Sequence, residues 1–62
     1  MREWLIEIRK SQKMTQEKVA LTAGICRPYY TRIERGEHKV PPETAMKIAG
    51  ALGFDWTKFY MK

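Results

Sequence analysis

The sequence predicts an all-α fold of five helices, and three observations carry that prediction. Apolar residues recur at helical spacing in successive segments, as in Leu5 and Ile8, Tyr30 and Ile33, and Ala45, Ile48, Ala49 and Leu52. Residues that start helices (Thr15, Pro42, Asp55) and residues that stop them (Gly24, Gly53) bracket those runs. Between the second and third runs lies a turn of about four residues, which leaves room only for a tight helix-helix corner.

The first helix is expected over about residues 2–12, with Leu5 and Ile8 inward and Trp4 to one side. For the second, Thr15 offers a hydroxyl to cap the backbone N–H groups of the following turn, and Gln16 and Glu17 favour that turn. It runs to about Ala23, where Gly24 fits the left-handed conformation that closes a helix and Ile25 plugs the corner. The third helix covers about residues 27–35, with Tyr30 and Ile33 as its inward pair. After a loop over residues 36–41, Pro42 and Glu43 open the fourth helix, and Gly53 ends it. Asp55 can cap a short final helix holding Trp56, Phe59, Tyr60 and Met61.

The free side of the third helix follows from a rotation of about 100° per residue. With Tyr30 and Ile33 inward and Glu34 beside them, Pro28 and Arg32 point away, Arg27 and Tyr29 flank them, and Thr31 and Arg35 share the outer half. An arginine projecting from near a helix N-terminus can make a two-pronged hydrogen bond to guanine O6 and N7, a geometry lysine matches less well. Exposed arginines commonly serve only as solubilising charge, but a glycine corner immediately before them favours contact with bases or phosphates.

The chain resembles the phage repressor and Cro-like helix-turn-helix domains, also called the xenobiotic-response-element (XRE) family. The matching residues run from Leu5, Ile8 and Arg9 through Met14-Thr15-Gln16, Val19-Ala20, Gly24-Ile25, Tyr30 and Ile33-Glu34-Arg35-Gly36 to Pro42-Glu43-Thr44-Ala45, Ala49 and Ala51-Leu52-Gly53. The resemblance implies a compact five-helix, lambda-repressor-like domain that docks as a dimer on operator DNA. It also implies that Gln16 bonds a phosphate from its helix N-terminus and that Arg9 and Glu34 form an ion pair. Three positions depart from the family pattern. Cys26 stands where a serine or threonine usually caps the recognition helix, and a thiol is a poor acceptor. Pro28 biases Arg27 away from helical geometry, which makes Arg27 a candidate cap. Lys13 replaces a common glycine between the first two helices, at some cost in local strain.

Length and composition suit one small domain over residues 1–62. A chain of 62 residues buries only about 60% of its unfolded surface, so its stability is modest and dimerisation would help. Twelve Lys and Arg against 7 Asp and Glu give a net charge of +5, a mild excess suited to an anionic partner. The single cysteine cannot form an internal disulfide, and the apolar runs are too short for a signal sequence or a membrane span. A cytoplasmic protein is expected. His38 has no partner at metal-binding spacing, Cys26 is read as a small corner residue, and neither cofactor nor small-molecule ligand is implied. An enzyme is therefore not expected.

The expected site is a double-stranded DNA interface on the second and third helices. Base contacts are assigned to Arg27, Pro28, Tyr29 and Arg32, and phosphate contacts to Thr15, Gln16, Lys18, Arg35 and Lys39, with Lys10 as a possible helper. Phe54, Trp56 and Phe59 are expected to close the core against Trp4 and Leu5. Apolar bulk left over at the chain end marks Trp56, Tyr60 and Met61 as a two-fold dimer interface. Together these readings describe a sequence-specific regulator of a phage or mobile-element type, a repressor more than an activator, on a palindromic operator. The alternative is a protein-interaction module, such as an antitoxin or adaptor, whose DNA affinity is incidental.

Overall fold

Leu5, Val19, Tyr30, Ile33, Ala45 and Ile48 are fully removed from solvent, and the helices are arranged around them. The computed structural model describes residues 1–37 and 39–60. Within these, the chain forms α1 (Glu3–Ser11), α2 (Gln16–Ala23), α3 (Arg27–Arg35) and α4 (Pro42–Leu52), followed by a 3-10 helix at Trp56–Tyr60. The core draws on all four α-helices, and Val40 adds to it from the loop before α4. Burying a side chain the size of Leu, Ile or Val contributes about 1.5–3 kcal/mol, so these few groups supply most of the cohesion of a domain this small.

The start of α2 follows from Thr15, whose Oγ1 accepts the Lys18 N–H at 3.0 Å. Its end follows from Gly24 at φ +75°, which lets the Ile25 N–H reach the Ala20 carbonyl at 2.9 Å. A β-carbon at Gly24 would meet no neighbouring atom within 4 Å, so the backbone angle alone asks for glycine there. The preceding corner is made differently. Lys13 sits at φ +57° between α1 and α2, the left-handed strain expected of a non-glycine residue at that place.

Two expectations need correction. Arg27 is the first residue of α3 and not its cap; Cys26, extended at φ −81° and ψ 150°, takes that place without a side-chain hydrogen bond. The first intrahelical bond, Tyr30 N–H to the Cys26 carbonyl at 3.1 Å, closes over Pro28, whose missing N–H would have lacked a helical acceptor anyway. The steric bias imposed by a following proline is thus overridden by the tertiary anchoring of Tyr30.

The fifth element is also a 3-10 helix where an α-helix was expected. Asp55 Oδ1 accepts from the Thr57 N–H at 3.0 Å and the Thr57 hydroxyl at 2.8 Å, which holds its carboxyl below the usual carboxylate range. The Lys58 N–H then bonds the Asp55 carbonyl at 3.0 Å, the i to i+3 pattern of the tighter helix. That geometry brings Phe54 and Phe59 onto Trp4, with ring centroids 5.4 and 5.1 Å away in edge-to-face contact. Met61, expected in this helix, and His38 lie outside the described residues.

Candidate nucleic-acid interface

The inner side of α3 is closed by packing and by charge. Tyr30 and Ile33 are wholly buried and Glu34 is only 3% exposed. Arg9 Nε, from α1, donates to Glu34 Oε2 at 2.7 Å, while Arg9 Nη1 donates to the Met14 carbonyl at 2.9 Å. Gln16, at the first position of α2, donates through Nε2 to the second Glu34 oxygen at 2.9 Å. Each carboxylate oxygen therefore has a donor, which offsets part of the cost of burying it. The Tyr30 hydroxyl lies beside this pair, near enough to feel both charges but outside hydrogen-bond geometry; burial, reinforced by Glu34, pushes its pKa up.

The C-terminal end of α3 is fixed by the chain start. The Arg2 N–H donates to the Glu34 carbonyl at 2.7 Å, and Arg2 Nη1 donates to the Ile33 carbonyl at 2.7 Å. These two carbonyls belong to the last turn of the helix, beyond the reach of the regular i to i+4 donors; the Ile33 carbonyl also takes the Gly36 N–H at 3.1 Å. The Arg2 guanidinium also lies 5.6 Å above the Phe59 ring, so one side chain ties α3 to the aromatic end of the molecule.

On the outer side, Arg27, Pro28 and Arg32 are exposed, and among the described residues neither Arg27 nor Arg32 forms an ion pair. Arg35 is exposed with Glu37 at 3.7 Å, a loose surface pairing. Tyr29 and Thr31 are half-buried, Tyr29 because part of its ring packs on the core. Thr15, Lys18 and Lys39 are exposed, Thr15 with its oxygen occupied as a cap, and Gln16 is half-buried. Between α1, α2 and α3 opens a cleft of about 540 Å³ that brings together Lys10, Gln16, Arg27, Thr31 and Arg35 over Arg9 and Glu34. The structure thus gathers around one cleft five of the residues assigned from sequence to bases, phosphates or the ion pair (Arg9, Gln16, Arg27, Glu34 and Arg35), together with Lys10.

Away from this side, Trp56 is half-buried and Tyr60 is 51% exposed, with ring centroids 5.9 Å apart. The Tyr60 hydroxyl donates to the Val40 carbonyl. Lys39 borders a second, mostly apolar groove there with Pro41, Pro42, Phe59 and Tyr60.

Sequence reasoning did not find the bonds that join Gln16 to α3. Besides Glu34, its amide meets Thr31, whose Oγ1 donates to Gln16 Oε1 at 3.0 Å. The available signal was stoichiometric: a buried carboxylate paired with Arg9 keeps a second oxygen in need of a donor. The anchoring role of Arg2 carries no comparable sequence signal.

A family model described as Helix-turn-helix matches residues 5–59 of the chain. The HTH-type transcriptional regulator YqaF of Bacillus subtilis (strain 168), itself uncharacterized, is 48% identical over 60 residues, which is 97% of this chain and 79% of that protein. The crystal structure of the restriction-modification controller protein C.AhdI from Aeromonas hydrophila superposes with a TM-score of 0.82 at 31% identity, covering 89% of this chain and 83% of that one. No helix among the described residues is long and apolar enough to cross a membrane.

Proposed function

The chain belongs to the XRE-type helix-turn-helix family of DNA-binding transcriptional regulators, and from that premise we propose that it reads double-stranded operator DNA by laying α3 in the major groove as one half of a homodimer. The observation that carries the reading is the segregation of α3. Its inner side is buried, and Arg27 and Arg32 stand exposed on the other side without ion-pair partners among the described residues.

In this reading Arg27 and Arg32 donate to guanine edges, while Pro28 and the outward part of Tyr29 make apolar contact with neighbouring bases. Thr15, Gln16, Lys18, Arg35 and Lys39 hold phosphates on either side and set the register. Two copies meet through Trp56, Tyr60 and Met61, so that the operator is palindromic with half-sites about 10 base pairs apart. Occupying such a site in the cytoplasm blocks polymerase, which makes repression the favoured outcome.

Selection of bound duplexes from random DNA tests the reading. A palindrome with guanine at defined places in each half-site is the expected result. Recovery of one tight protein partner from cells, with no preferred duplex, would instead make the chain an interaction module.

A further inference from the structure

We infer that Thr31 is a positioning residue for the phosphate contact of Gln16, an inference that rests on the DNA reading above. The Gln16 amide is held at both ends by α3. Its nitrogen donates to Glu34 Oε1 at 2.9 Å and its oxygen accepts from Thr31 Oγ1 at 3.0 Å. A carboxylate only accepts, so the nitrogen end of the amide must face Glu34, and the hydroxyl at the other end completes the assignment. Glu34 is itself immobilised by burial and by Arg9 at 2.7 Å. One N–H of the amide is left for a ligand, and Gln16 lines the cleft that Lys10, Arg27 and Arg35 make cationic.

The hydroxyl of a helical threonine ordinarily turns back to the carbonyl four residues before it. Thr31 sends its hydrogen to another helix instead. The consequence is mechanical: the first residue of α2 is fastened to the middle of α3, so the phosphate anchor and the base-reading side chains share one frame. A duplex seated on Gln16 then finds Arg27 and Arg32 already in register, without ordering a free amide on binding.

The test is fluorescence anisotropy with a labelled duplex carrying the selected site and with a scrambled duplex, each over a range of salt, while thermal melting monitors folding. Thr31→Val keeps the shape of the side chain and removes the donor. It is expected to weaken binding about threefold on both duplexes, the scale of one lost neutral hydrogen bond. The salt slope should stay unchanged, because an amide displaces no counterion. Thr31→Ser should restore affinity, and Thr31→Val should have no further effect in a Gln16→Ala background. Additive losses in that background, or an altered base preference at one position, would overturn the inference by showing that Thr31 touches DNA itself; failure of Thr31→Ser to restore binding would also overturn it. Salt-dependent DNA binding indifferent to Gln16→Ala would defeat the positioning role alone, whereas absence of DNA binding by the wild-type chain would defeat the regulator reading with it.

Discussion

The two sides of α3 are separated by half a turn of one nine-residue helix, yet they answer to different physics. Tyr30, Ile33 and Glu34 are at most 3% exposed, and each is held by groups from other elements or by the core. Arg27, Pro28 and Arg32 are exposed, and among the described residues neither arginine has an ion-pair partner. The inner side therefore decides whether the helix exists and where it sits, and the outer side is left to decide what it meets. A substitution should move stability or recognition according to its side, with little crossover.

The largest effect should come from the core. Ile33→Ala removes a fully buried side chain and is expected to cost about 4 kcal/mol. In a domain whose whole stability is about 5 kcal/mol, that leaves about 1 kcal/mol, so roughly one molecule in six is unfolded at ambient temperature and the melting temperature falls steeply. Circular dichroism melts check it, and a cooperative transition at the wild-type temperature would show that the site repacks.

Next comes the ion pair. Arg9→Ala leaves Glu34 buried with Gln16 as its remaining donor, and about 3 kcal/mol of stability should be lost. Urea titration measures the loss. An Arg9→Ala protein of ordinary stability would mean that water reaches the carboxylate in solution, and the division between the two sides would blur.

On the other side, Arg32→Ala should weaken binding to a selected duplex by about 2 kcal/mol while the melting temperature stays put. A fall in melting temperature comparable with that of Arg9→Ala would break the comparison outright. A smaller effect is expected from Lys18, exposed on α2. If each half of the dimer neutralises about four phosphates, the log-log salt slope should lie near about −7, and Lys18→Ala, which removes one contact from each half, should reduce its magnitude by about 2 on every sequence alike.

The smallest effect sharpens the comparison from within. Tyr30→Phe deletes a buried hydroxyl that meets no partner in hydrogen-bond geometry among the described residues, so stability should change by no more than about 0.5 kcal/mol. Neighbouring inner residues would then differ sharply, because the ion pair at Glu34 is bonded and the phenol at Tyr30 is not.

Much of this architecture is legible in the chain. The spacing of Tyr30 and Ile33 fixes the inward direction of α3, and Thr15 and Gly24 mark the ends of α2 because each satisfies backbone groups locally. What escaped sequence reasoning was settled at longer range. Pro28 argued against a helical Arg27, but Tyr30, drawn into the core, fixes the turn that contains it. The packing of Phe54 and Phe59 after Asp55 is completed by Trp4, far away in sequence, which receives both rings. Likewise the Gln16 amide could be placed at a helix N-terminus, but its bonds to Thr31 and Glu34 exist only once α2 and α3 meet. Local rules locate the helices and their outward faces; contacts between helices decide which polar side chains act together.

The most direct measurement is selection of duplexes from random DNA by the wild-type chain and by Arg32→Ala in parallel. The account predicts that the variant, folded as before, loses its preference for guanine at one position of each half-site and keeps the others. An unchanged selected sequence bound with unchanged affinity would contradict the claim that the outer side of α3 reads DNA.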